Sequence, residues 1–187
     1  MTAVSAAETS LRPGPITDEV YKSVFRDHAA GVVVVTANGL DAPVGFTATS
    51  LSSVSLEPPL VAFAVSSRAS AWPTIERSPS VAVHFLDTGQ HWLAQRFATS
   101  GIDRFADPVR WTWSPTGEPV LVDCPAYLCC EIDRHVPVGD HHIVIARVGS
   151  AEVTRSGSPL VYHDGAYASV LHGPDVEVPT QSHGRKL

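Results

Sequence analysis

From Gly31 the chain runs Val32-Val33-Val34-Val35-Thr36 with no charged residue, then meets turn chemistry at Asn38-Gly39 and resumes at Pro43. That pattern predicts a strand opening a β-hairpin. Apolar stretches at residues 60–65, 80–86, 127–136 and 143–153, and a short pair around Leu160 and Tyr167, extend the strand signal. Three stretches carry helical spacing instead. Thr17, followed by Asp18 and Glu19, caps a start after which Val20, Val24 and Phe25 recur on one face to about Asp27. Residues 70–77 open on Ser70 as a cap with Pro73 in the first turn, and residues 88–98 set Trp92, Leu93 and Phe97 on one helical side. Roughly seven short strands with helices inserted predict a mainly β, antiparallel barrel, closed to remove its exposed edges and carrying a few short peripheral helices.

The ends differ from this body. Residues 1–15 and 172–187 are polar, contain proline and lack apolar periodicity, which predicts flexible tails around one domain over residues 16–171. A chain of 187 residues, 44% of them hydrophobic, has material for one sizeable core. Thirteen basic against nineteen acidic residues give a net charge of -6 without a basic cluster, so no nucleic-acid partner is expected. No long apolar run and no signal-like start are present, so no membrane is expected and the cytoplasm is the expected location. Cys124, Cys129 and Cys130 are too close and too few to frame disulfides and read as small buried hydrophobes. Nine scattered histidines predict no metal site.

Candidate chemistry concentrates in three places. Six hydroxyl residues lie within residues 45–55, after a predicted strand and before Glu57-Pro58-Pro59. Hydroxyls and freed backbone N–H groups at a strand end can hold a planar polar heterocycle without adding charge, although a solvated strand edge before a turn has the same composition. Ser66-Ser67-Arg68-Ala69-Ser70 then combines hydroxyls, one cation and a predicted helix start, a seat for a phosphate or an ordinary capped loop. Arg96 and Arg104 are further cations within reach of such an anion or, equally, surface residues. Gly139-Asp140 before His141-His142 is a hairpin turn whose two histidines point to opposite faces, so one at most lines a given pocket. Dinucleotide, Walker, nucleophile-elbow and zincin motifs are all missing.

In this order the pieces resemble the flavin reductase-like family of FMN-binding split barrels, which contains reductase components of two-component flavin-dependent monooxygenases. The resemblance covers about residues 21–170. It is carried by Phe25-Arg26, by the valine run, by the hydroxyl segment leading into Pro58-Pro59-Leu60, by Val83-His84-Phe85-Leu86, by Arg96-Phe97-Ala98 and Arg104-Phe105, and by Gly139-Asp140-His141. It implies an NAD(P)H:flavin oxidoreductase, with FMN or FAD as flavin and NADH or NADPH as co-substrate, working as a homodimer and supplying a partner oxygenase. Thr47, Ala48, Thr49 and Ser50 would line the flavin ring with Ser53 and Ser55 nearby. Ser66, Ser67, Arg68 and Ser70 would approach the flavin phosphate, Arg96 and Phe97 would close that side, and His141 would stand near the nicotinamide with His142 a bystander. Thr49 and Ser50 would stabilise charge on the reduced ring, sharing the catalytic role with His141. Two other readings of the same barrel are an enzyme that keeps its flavin and reduces another substrate, and a flavin carrier without NAD(P)H activity. His84 stands where the family commonly has Asn, a departure expected to alter flavin contacts. Ala146 stands where Gly is frequent, which would crowd a strand.

Overall fold

The computed structural model describes residues 16–170. The two tails expected at residues 1–15 and 172–187 lie outside the described residues. Helix α1 (Asp18–Arg26) begins as its sequence predicts: Thr17 Oγ1 accepts the Val20 N–H at 3.3 Å, and acidic residues in the first turn with Arg26 in the last complement the helix dipole. None of its residues is buried, so Val20, Tyr21, Val24 and Phe25 form an exposed apolar face.

Strands dominate the rest. In chain order come β1 (Ala30–Gly31), β2 (Val33–Ala37), β3 (Val44–Ala48), β4 (Ser52–Leu56) and β5 (Pro59–Ser66), then helix α2 (Trp72–Ile75) and β6 (Ser80–Phe85). A 3-10 turn (Thr88–Gln90) leads into α3 (His91–Ala98), followed by β7 (Trp111–Trp113), β8 (Pro119–Leu121), β9 (Ala126–Val138), β10 (His141–Val153), β11 (Leu160–His163) and β12 (Ala166–Ser169). Seven of them make one antiparallel sheet in the order β3-β2-β6-β9-β10-β5-β4. Its edge strands β3 and β4 are consecutive in the chain and joined by residues 49–51 alone, so the sheet must curl until its edges approach. They do not pair with each other. The barrel is therefore split, as the resemblance implied, and not closed as edge physics alone led one to expect.

The valine run acquires its meaning here. Val33, Val35 and Ala37 enter the barrel core with Phe63, Val65, Val83 and Val144, while Val32 and Val34 enter a second cluster with Leu86, Leu93, Phe97 and Leu121. A strand buried on both faces reads as a continuous apolar run rather than an alternation. By contrast β5 alternates, with Val61, Phe63 and Val65 inward and Ala64 and Ser66 outward. Two helix expectations change. Ala71, not Ser70, is the N-cap of α2, with no side-chain cap. Leu93, Ala94 and Phe97 form the buried face of α3, and Trp92 is 41% exposed. The three cysteines are free and buried, and burial pushes the Cys124 and Cys130 thiols up to about 12.

Candidate active site at the split between the sheet edges

Where β3 and β4 part, β5 loses its ladder partner opposite Ala64. Ser50 fills the gap: its Oγ accepts the Ala64 N–H at 2.9 Å and lies 3.4 Å from the Ala64 carbonyl oxygen. A hydroxyl, donor and acceptor at once, thus stands in for a strand. Thr47 Oγ1 donates to Ala94 O at 2.5 Å and ties β3 to α3. Between these tethers a cavity of about 440 Å³ opens, floored by Phe46, Thr47, Ala48, Thr49 and Ser50 and walled by Ala64, Ser66 and the loop 68–71. Phe97, Ala98 and Ser100 at the end of α3, with Arg104 and His141, complete it. No carboxylate lines this cavity, while two guanidinium groups and one imidazole do.

Each basic group is positioned by a different device. The hairpin β9–β10 turns at Gly139-Asp140, with Gly139 at φ +58, a conformation glycine adopts without steric cost. Register then sets His141 opposite Ser66. Asp140 Oδ1 accepts from His141 Nδ1 at 2.7 Å, which holds the Asp140 carboxyl below its usual value and leaves Nε2 of the imidazole for a ligand. Arg68 is mostly exposed, 3.9 Å from Asp140, and its backbone N–H donates to Ser66 Oγ at 3.3 Å. Arg104 is half-buried: Nη1 donates to Gly45 O at 2.8 Å and Ser70 Oγ at 3.2 Å, and Nε to Thr99 O at 2.9 Å. Burial lowers its pKa, and no carboxylate pairs with it among the described residues.

Of the residues singled out by sequence, Thr47, Ala48, Thr49, Ser50, Ser66, Arg68, Ser70, Phe97 and His141 come together here. Ser53 and Ser55 do not line the cavity; they belong to β4, a strand hidden within the hydroxyl segment. Nor does Ser67, whose N–H donates to Asp140 O at 3.0 Å and couples the 66–70 loop to the hairpin turn. Arg96 lies behind the wall, donating to the carbonyls of Asp103, Arg104 and Ala106 at 2.9, 3.0 and 3.1 Å. It positions Arg104 rather than lining the cavity. His142 faces away, stacked on Trp72 at 3.8 Å, as strand alternation requires. His84 also lies elsewhere: it is fully buried, its Nε2 accepts the Leu121 N–H at 3.0 Å, and its Nδ1 lies 3.1 Å from Val34 O. The altered flavin contact expected of it is thereby corrected.

Phe46 and Ser100 were not among the expected lining residues, whereas Arg104 was expected only as one of two cations within reach of an anion. Arg104 carried a signal, as a cation in a quoted motif; Ser100 is brought in only by the turn after α3. Among the described residues no cluster of three or more His, Cys, Asp or Glu could hold a metal ion, and no helix is long and apolar enough to cross a membrane.

Comparison with known proteins agrees with this geometry. Residues 25–171 match the family described as flavin reductase like domain. The NADH:FMN oxidoreductase of Rhodococcus qingshengii is 46% identical over 151 residues, covering 79% of each chain. A reductase subunit of a flavin-dependent monooxygenase, HsaB of Rhodococcus jostii, is 34% identical over 85% of this chain and 80% of its own. The solved structure of a flavin reductase domain protein from Arthrobacter sp. superposes with a TM-score of 0.81 at 34% identity, covering 87% of this chain and all of the other. By fold, motif order and sequence, the chain belongs to the flavin reductase-like family.

Proposed function

We propose that the protein is an NAD(P)H:flavin oxidoreductase that passes hydride from a reduced nicotinamide to FMN or FAD, and that the reduced flavin goes to a partner monooxygenase in the cytoplasm. The observation that carries this reading is the cavity at the split. Hydroxyl and backbone groups cover one side, an uncompensated half-buried guanidinium stands at one end, and no carboxylate opposes an anionic ligand. Those residues fit a neutral polar heterocycle carrying a phosphate. Bound flavin supplies the hydride-accepting ring. The chain's own contribution is binding and polarisation: Thr49 presents its hydroxyl, and Ser50, whose hydroxyl is committed to Ala64, its backbone N–H, to charge developing on the ring, and fixed dipoles of this kind contribute about 3 kcal/mol where one donor has been removed elsewhere. Arg104 and Ser70 take the phosphate end. His141, oriented by Asp140, positions the nicotinamide dinucleotide at the cavity mouth.

The cavity opens on a sheet face where Val136, Val138 and Ile143 are exposed beside His141. A second copy of the chain covering that face, with flavin near the interface, completes the enzyme as a homodimer.

Anaerobic mixing of the protein with excess FMN or FAD and then NADH or NADPH, followed at about 450 nm, tests the activity. Catalytic bleaching of the excess is expected. Bleaching limited to one equivalent per protein would indicate an enzyme that retains its flavin, and bound flavin that stays oxidised would indicate a carrier.

A further inference from the structure

The strand that presents His141 to the cavity presents His142 to its other face, where it meets Trp72, the first residue of α2. The two rings are stacked, with centroids 3.8 Å apart and planes 17° from parallel. His135 lies on the same face of the sheet as His142, since it pairs with Val144, two residues further along β10. Its ring stands at 83° to the indole with centroids 5.6 Å apart, an edge-to-face arrangement. His135 Nε2 is buried without a hydrogen-bond partner among the described residues, so on this side packing on the indole, not hydrogen bonding, holds the ring. Trp72 itself is 7% exposed and ends a loop whose other end is tied to the same hairpin, where the Ser67 N–H donates to Asp140 O at 3.0 Å. Between the two ties lie Arg68, Ala69, Ser70 and Ala71, all four lining the cavity. The loop is turned by the Ala69 N–H donating to Ser66 O and the Trp72 N–H donating to Ala69 O, both at 2.9 Å.

We infer that His142 is a positioning residue for flavin binding: through its stack on Trp72 it holds the 68–71 wall, and with it Ser70 and the Arg104 that Ser70 bonds, in fixed relation to the hairpin that carries His141. Adjacent histidines thus serve the two faces of one strand, His141 at the cavity and His142 behind its wall. This rests on the flavin reading above, in which Arg104 and Ser70 take the phosphate, and goes beyond it by giving a role in ligand geometry to a side chain that does not line the cavity.

The test is titration of the full chain with FMN and with riboflavin, which lacks the phosphate, followed by flavin fluorescence. Loss of one stacked aromatic pair corresponds to about a fivefold change in Kd. His142→Ala is expected to weaken FMN binding by about fivefold while riboflavin binding changes by less than about twofold, and His142→Phe, which restores a ring to the stack, to return FMN affinity to within about twofold of wild type. His142→Gln fills the place without a ring; it should behave as His142→Ala does and takes its place if that variant does not fold. Equal losses for the two flavins, unchanged FMN affinity, or no recovery with His142→Phe would overturn the positioning role. Wild-type protein that binds riboflavin as tightly as FMN would overturn the phosphate assignment beneath it, and wild-type protein that binds neither would overturn the flavin reading itself, and in both cases the positioning role falls with them.

Discussion

His84 shows how one side chain is committed by its surroundings. The Leu121 N–H requires an acceptor at Nε2, so the proton sits on Nδ1, directed at Val34 O. Burial favours the neutral ring and brings the pKa down to about 4. Because the folded value lies below the unfolded one, the contribution of neutral His84 is complete above about pH 6.5 and declines as pH falls toward 4, where the unfolded chain takes up a proton that the folded chain refuses. The difference integrates to about 3 kcal/mol. Urea denaturation of wild type and His84→Asn at pH 7.5 and 4.5, taken as about one unit outside and within this window, should show a steeper loss for wild type; parallel losses would remove His84 as the cause. Gly45 is needed for space rather than for φ. An added Cβ would lie 2.7 Å from Phe97 Cε1 and 3.0 Å from Val35 O, and Phe97 is fully buried. Gly45→Ala should cost about 1–3 kcal/mol and, by pushing Phe97 into the cavity, weaken flavin binding in a titration. His141→Ala should raise KM for NAD(P)H more than KM for flavin, and equal increases would remove it from the nicotinamide site.

At the scale of elements, the cavity depends on how α3 and the turn after it are tied. Arg96 collects three carbonyls of residues 103–106 and so fixes the segment that carries Arg104. A planar fork is required for that, which a lysine ammonium does not reproduce. Arg96→Lys should therefore weaken FMN binding nearly as much as Arg96→Ala, with little change in affinity for riboflavin, whereas a loss shared by riboflavin would mean that the whole wall had moved. The hairpin β9–β10 acts similarly for His141, since its two-residue turn sets the register that brings the imidazole opposite Ser66. The sequence expectation had this turn and the alternation of His141 and His142 correct. It did not separate Ser53 and Ser55, which do not line the cavity, from the residues that do, because β4 is short and exposed and its Ser53-Val54-Ser55-Leu56 alternation spans only four residues of a hydroxyl-rich stretch.

For the molecule as a whole, the single chain leaves apolar surface next to the cavity and a free edge at β4, where Val54 and Leu56 are exposed. An uncovered edge and face of this kind are what a second subunit would bury. If the proposed dimer forms through that face, Ile143→Asp should shift it to monomer in light scattering and weaken flavin binding, with thermal unfolding still cooperative. A variant that stays dimeric with unchanged flavin affinity would place the subunit contact elsewhere.

The sequence alone determined what depends on local pattern. Strand identity follows from β-branched runs, the α1 start from Thr17 and its acidic first turn, the Gly139-Asp140 turn from glycine's backbone freedom, and family membership from motif order. What depended on distant residues meeting was decided by tertiary structure. Local pattern could not show the split, which only the resemblance implied, because pairing β3 with β4 and bridging Ala64 through the Ser50 hydroxyl have the same local sequence. The division of labour between Arg96 and Arg104 was illegible for the same reason. Both are arginines followed by phenylalanine, and only the fold assigns one to backbone carbonyls and the other to the cavity.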